Sequence, residues 1–223
     1  MKLFYSPGAC SIGIHFMLEE IGTPFETQKV NLGAGEQFEP WYRAINPKSK
    51  VPALQRDDGE VLTEFPVIAQ FLWNGRSRPQ DGRDGAQVPS TLDDGMLAEM
   101  ELVEYAVSTV HMQGFTRIFR PEKFCPDEAS HDVVKGRGVE IVKAGLEVLA
   151  PAVEKLPSLS TGISMADAAL FYVLLWGIDR LKLEAPDPLA SRYRSLKMRP
   201  SATRVFTREG ISLPAHEGRT KAS

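Results

Sequence analysis

The stretch GRSRPQDGRDGAQVPST, residues 75–91, divides the chain into two unlike parts. It has no apolar period and is dense in Gly, Pro, Arg and Asp, the composition of a linker. Before it, short apolar runs alternate with helical stripes; after it, the apolar spacing is helical throughout. A chain broken in this way is expected to fold as two units. These are a mixed α/β unit over 1–76 and an all-helical unit over 92–210, with a linker at 77–91 and a loose polar tail at 211–223.

In the first part, Lys2–Tyr5 reads as a strand. Residues 10–21 carry Ile14, Met17, Leu18 and Ile21 at i, i+3, i+4 and i+7, and Gly22 stands where a C-cap glycine belongs. Phe25–Val30 is a second strand candidate. A loop-rich stretch follows, with a short irregular helix around residues 39–45. VPALQR and EVLT read as two strands joined by Asp57-Asp58-Gly59, a hairpin turn signal. From Glu64 to Trp73, Val67, Ile68, Phe71 and Leu72 share one helical face. The order is βαβ, then ββα.

In the second part, residues 92–118 form a long helical segment. Asp127 to Leu149 is another helix, despite the low propensity of Gly136, Gly138 and Gly145. Ser164 to Asp167 fits a capping box in its Asp form. The run Ala168–Trp176 after it is apolar on every face, which predicts a centrally buried helix. Shorter helices cover Leu189–Lys197 and Ser201–Arg208.

Composition excludes several function classes. With 43% hydrophobic and 25% charged residues the chain is that of a globular protein, and its net charge of -3 argues against a general nucleic-acid binder. No apolar run approaches the roughly 20 residues of a membrane span, and MKLFYSPG breaks too soon for a signal peptide. Two cysteines, Cys10 and Cys125, make no disulfide framework, so a cytoplasmic chain with reduced thiols is expected.

Cys10 sits at the junction of a strand and a helix. At a first helical turn the free backbone N–H groups and the dipole favour thiolate, the nucleophilic form; the competing reading is a small packed cysteine. Ser11 adds a hydroxyl beside it. Tyr5, at the end of the first strand, could donate to an anionic sulfur or serve as core. Val51-Pro52 opens a strand, where a cis bond would leave the Val51 backbone free to pair with an extended peptide; an ordinary trans proline is the alternative. Glu64, at the start of the third helix, suits either a ligand carboxylate held nearby or its own helix dipole. Among the histidines, His15 reads as structural, and His111 either reaches a cleft or packs. His131 and His216 have no metal-ligand spacing, and no metal is expected. Cys125 falls in a Pro-flanked loop as an incidental thiol. Met112, Phe115, Phe119 and Trp176 are apolar candidates for a pocket near the 101–120 helix, with core packing the stronger reading for Trp176.

Together, KLFYSPGACS (2–11), INPKSKVPAL (45–54), DDGEVLTE (57–64), SMADAALF (164–171) and LKMRPSATRVFTREG (196–210) resemble bacterial glutathione S-transferases. GFTRIFRP (114–121) adds to the match, which is greatest with the beta class and its N-terminal cysteine. The resemblance implies a thioredoxin-like N-terminal domain, an all-helical C-terminal domain, a homodimer, and a glutathione site in the cleft between domains. Carried over, Cys10 would face the glutathione sulfur, with Tyr5, Ser11 and His111 near. Val51 would pair with the cysteinyl unit, Pro52 would be cis, and Glu64 with the following residue, Phe65, would hold the γ-glutamyl end. The departures are Phe65-Pro66 where relatives carry a small residue first, and the absence of a lysine near residue 34. Glu104 stands where relatives often carry an Asn that reaches the partner's ligand, and one extra residue lies between His111 and Gly114-Phe115. The implied function is transfer of glutathione to small hydrophobic electrophiles. A glutathione-dependent disulfide oxidoreductase using Cys10, and a non-catalytic ligand-binding protein, are the alternatives.

Overall fold

Side chains of the first strand, β1 (Lys2–Tyr5), alternate between two cores: Leu3 and Tyr5 face one, Phe4 the other. The computed structural model, which describes residues 1–76 and 93–212, builds the N-terminal domain around this strand. The expected linker, most of the expected tail and His216 lie outside the described residues. β1 pairs in parallel with β2 (Glu26–Lys29) and antiparallel with β3 (Ala53–Gln55), which pairs antiparallel with β4 (Val61–Thr63). The sheet order is β2-β1-β3-β4. A parallel pair needs a crossover, and α1 (Ser11–Ile21) supplies it. The mixed sheet is thioredoxin-like. β2 is shorter than the sequence predicts. Its Glu-Thr-Gln-Lys is exposed throughout as a polar edge, while Phe25 leaves the strand to meet the His15 ring at 5.7 Å.

Cys10 caps α1, and Gly22 closes it with φ 73° and an N–H donated to the Leu18 carbonyl. The apolar stripe predicts one buried face, yet every residue from Ser11 to Glu19 is buried. The sheet covers one side of α1 and the helical region covers the other. Gly13 shows how close the second cover comes. A Cβ there would stand 2.2 Å from the Ala168 carbonyl oxygen and 2.9 Å from the Phe65 ring. α2 (Pro40–Ile45) and α3 (Phe65–Arg76) complete the domain.

The long helical segment runs from α4 (Asp94–Tyr105) through a π-helical stretch, Ala106–Phe115, into α5 (Thr116–Phe119). The extra residue before Gly114-Phe115 has a physical home here, because a π turn takes more residues than an α turn. The second long helix, α6 (His131–Val153), starts and ends later than predicted; a 3-10 turn at Glu128–Ser130 precedes it. Two of its three glycines, Gly138 and Gly145, mark close approach, while Gly136 faces open space. A Cβ on Gly138 would meet the Gly114 carbonyl oxygen at 2.8 Å, and one on Gly145 would meet Val110 at 2.6 Å.

α7 (Met165–Leu174) begins at the predicted capping box: Asp167 N–H donates to Ser164 Oγ and Ser164 N–H to Asp167 Oδ2. It is buried along its whole length and passes into a second π-helical stretch, Leu175–Arg180. α8 (Asp187–Lys197) and α9 (Pro200–Glu209) follow. α9 lies along α1 and is laced to it by ion pairs: Glu20 with Arg199, and Glu19 with Arg204 and Arg208. Among the described residues no helix is long and apolar enough to cross a membrane.

Candidate active site

Cys10 is presented by the turn Ser6–Ala9, in which Ala9 N–H donates to the Ser6 carbonyl and Gly8 takes φ 64°. Ser11 ties this turn from inside. Its Oγ accepts from Ser6 N–H at 3.2 Å and donates to the Ser6 carbonyl at 3.3 Å. Ser11 is fully buried, so its hydroxyl serves the loop. The helical region grips the same turn from outside. Gly8 N–H donates to Glu209 Oε2 at 2.7 Å, and Trp176 Nε1–H donates to the Gly8 carbonyl at 2.8 Å. The Arg180 guanidinium lies so close that a Cβ on Gly8 would stand 1.8 Å from it.

The Cys10 thiol is partly exposed and donates to the Val51 carbonyl at 3.4 Å. Burial pushes its pKa up to about 12, against the lowering effects of the Ser11 and Cys10 amides and of Lys50. Of the two readings of Cys10, burial favours the packed thiol over the thiolate, because desolvation outweighs the N-terminal amides. The Val51-Pro52 bond is cis.

A cavity of about 400 Å³ opens over this thiol between the two parts of the chain. Cys10 and Val51 line it from one side. His111, Met112, Phe119 and Trp176 line it from the other. The His111 ring stands edge-on to Trp176 at 4.9 Å, with Nδ1 3.4 Å from the Tyr172 hydroxyl. Burial, then Lys50 and Lys123, lower its pKa to about 4, so the imidazole is neutral. Trp176 is both core and lining; Phe115 is fully buried behind it.

Several expected residues are not brought to this cavity. Tyr5 packs on His15 beneath α1, with ring centroids 5.4 Å apart, and its hydroxyl does not line the cavity. Burial and the Glu209 charge raise its pKa. Glu104, expected toward a partner subunit's ligand rather than this cavity, is exposed on α4. Glu64 stands at the start of α3 with φ 70°, a conformation that costs a non-glycine residue about 1 kcal/mol or more. Its carboxylate holds Lys48 Nζ at 2.7 Å. The Phe65 ring turns inward against Tyr172, 5.1 Å between centroids, and leaves the helix start open. Cys125 lies elsewhere, its carbonyl 2.9 Å from His131 Nε2.

Sequence reasoning missed the cations of the lining: Lys48, Lys50, Arg120 and Lys123. The signal was available in KSK before Val51 and in RPEK after Phe119, but only folding puts the two segments on facing walls. It also missed the grip on Gly8, whose partners lie 168 and 201 residues away. Among the described residues, a larger cavity of about 610 Å³ between α4 and α6 is lined by no cysteine or histidine. Among the described residues no cluster of His, Cys, Asp or Glu could hold a metal ion.

The chain is similar to known proteins along the path this geometry suggests. The family described as "Glutathione S-transferase, N-terminal domain" matches residues 8–74. Glutathione S-transferase GstA of Escherichia coli O157:H7 is 32% identical over 223 residues, covering 95% of this chain and 100% of that protein. The chain belongs to the glutathione S-transferase family. Among solved transferases, the bacterial beta class enzyme of Sphingomonas chungbukensis superposes with a TM-score of 0.72 at 28% identity, over 95% of this chain and 100% of that one. A sphingomonad glutathione S-transferase complexed with glutathione superposes at 0.74 with 28% identity, over 95% and 100%. This transferase thus shares its fold with beta-class members, and its Cys10, Val51 and cis-Pro52 fall in the part that the N-terminal family covers.

Proposed function

We propose that this transferase binds glutathione along the Val51 edge and joins its sulfur to a small electrophile in the cavity above Cys10. The observation that carries the reading is the Cys10–Val51 contact. An extended peptide that pairs with the Val51 backbone takes the carbonyl now used by the Cys10 S–H. The freed thiol then donates to the incoming sulfur and stabilises its anionic form. A hydrogen bond aimed at developing charge in a dry cleft is an effective catalytic device. Lys48 and Lys50 stand on the same wall and suit the tripeptide's carboxylates. The neutral His111, against Trp176 and Tyr172, shapes the acceptor side. Met112 and Phe119 add apolar surface there.

The raised thiol pKa favours this reading over the disulfide oxidoreductase, in which Cys10 must itself attack as a thiolate. Conjugation of glutathione to 1-chloro-2,4-dinitrobenzene tests it, with Cys10→Ser and Cys10→Ala beside the wild type. Conjugation that survives in Cys10→Ser and drops in Cys10→Ala supports a donor role. Glutathione-dependent reduction of a small disulfide by the wild type, with no conjugation, would sink the proposal. By family resemblance the protein acts as a cytoplasmic homodimer, for which analytical ultracentrifugation is the check of assembly.

A further inference from the structure

We propose that the electrophile used in this cleft carries a carboxylate beside an aromatic body, and that Lys123 and Arg120 select it. This deepens the transferase reading above and rests on it. Among the described residues the cavity lining holds four cations and no acid. Two of them, Lys48 and Lys50, adjoin Val51 on the wall assigned to glutathione. The other two, Arg120 and Lys123, follow α5 on the opposite wall, where Met112, Phe119 and Trp176 also stand. Lys48 is occupied by Glu64 and Thr63. Arg120 Nε donates to Glu122 at 2.6 Å, which leaves its other N–H groups to a ligand. Among the described residues neither Lys50 nor Lys123 enters an ion pair. Both line the same cavity as the His111 ring.

Glutathione brings two carboxylates, which the cations beside Val51 suit, and one ammonium, which suits an acid such as Glu64 next to Lys48. The cations of the far wall remain, set among apolar faces. A neutral arene would leave two cations looking onto a ring. An aromatic carboxylate answers both features at once, with its ring on Phe119 and Trp176 and its anion toward Lys123 and Arg120. The reaction itself adds negative charge to the same place. With a chloroarene as the electrophile, the glutathione thiol gives its proton to water and its sulfur bonds to the ring carbon that bears chlorine. The C–Cl bond then breaks, and chloride leaves with the bonding pair. The ring is anionic between the two events, so these cations act on the transition state as well as on binding.

A matched pair of electrophiles tests this: neutral 1-chloro-2,4-dinitrobenzene and anionic 4-chloro-3,5-dinitrobenzoate. Each kcat/KM is divided by the rate constant of the same reaction without enzyme, which removes intrinsic reactivity. The expected result is a preference of the wild type for the benzoate. Lys123→Gln and Arg120→Gln should each lower the ratio of benzoate to neutral arene by about two- to fivefold, the range of an exposed ion pair. Lys123→Glu should lower it further, and added salt should compress the preference. A wild-type ratio at or below unity overturns the proposal while leaving the transferase reading intact. So do variants that raise the KM of glutathione as much as that of the benzoate, which would place these cations on the tripeptide. If neither electrophile is conjugated, the transferase reading itself fails and the inference falls with it.

Discussion

His15 Nδ1 lies 2.8 Å from Glu209 Oε1, with both side chains fully enclosed, although 194 residues separate them in sequence. The other oxygen of the same carboxylate accepts from Gly8 N–H, two residues before Cys10. One buried group therefore closes the contact between α1 and α9 and fixes the turn that presents the thiol. Removing one partner of a buried pair leaves the other uncompensated and costs about 3–5 kcal/mol. Glu209→Ala should lose stability on that scale in urea denaturation, and its Cys10 should alkylate faster than in wild type. A loss below about 1 kcal/mol would show that the pair does not hold the two parts together.

Cys10 gives a pH prediction. Its folded pKa is raised to about 12 from a reference of 9.0, so the folded state favours the protonated form. The stability this contributes is complete below about pH 9. It is lost as pH rises toward 12, because the unfolded chain ionises first. In a Cys125→Ser background, thiolate absorbance should titrate far above neutrality. Iodoacetamide should react at pH 7 on the order of a hundredfold more slowly than with free cysteine. A midpoint below pH 8 in the ligand-free protein would contradict the burial argument.

His111 moves the other way. Its folded pKa is lowered to about 4, with burial as the main cause. The imidazole is neutral in the folded state, and its contribution is complete above the unfolded value near 6.5. That contribution is lost as pH falls toward 4, where the unfolded chain takes the proton first. Nuclear magnetic resonance of the ring protons should show no titration between pH 5 and 8. A midpoint near 6.5 would mean that the ring is solvated.

Gly13 tests the fit of α1 against α7. Alanine favours a helix over glycine by about 1 kcal/mol, yet here its Cβ would stand 2.2 Å from the Ala168 carbonyl oxygen. The backbone there cannot rotate away, so Gly13→Ala should lower stability by about 1–3 kcal/mol or more. Thermal unfolding decides: an unchanged or higher midpoint would mean that the two helices part easily.

The parts of the fold legible in the chain were those set by neighbours in sequence. Gly22 ends α1 because a left-handed residue there needs no Cβ. Asp57-Asp58-Gly59 joins β3 to β4 because it accepts a tight turn. Ser164 and Asp167 satisfy each other's backbone within three residues. The apolar run after them is buried because it has no polar face.

Tertiary structure decided whatever depends on distance and burial. Local position at a helix start argued for a thiolate at Cys10, but the dielectric around it is set by Val51 and the helical region, and desolvation prevails. Ser11 follows Cys10 directly and Tyr5 precedes it by five residues, yet the Ser11 hydroxyl serves the Ser6–Ala9 turn and the Tyr5 ring packs beneath α1. Gly138 and Gly145 weaken α6 taken alone, yet they are what lets it approach the Ala106–Phe115 segment. Lys50 and Lys123 share a cavity only because two unlike parts of the chain close on each other. Sequence alone encodes the short-range turns and caps; the charge, protonation and reach of the site come from contacts that exist only once the chain is folded.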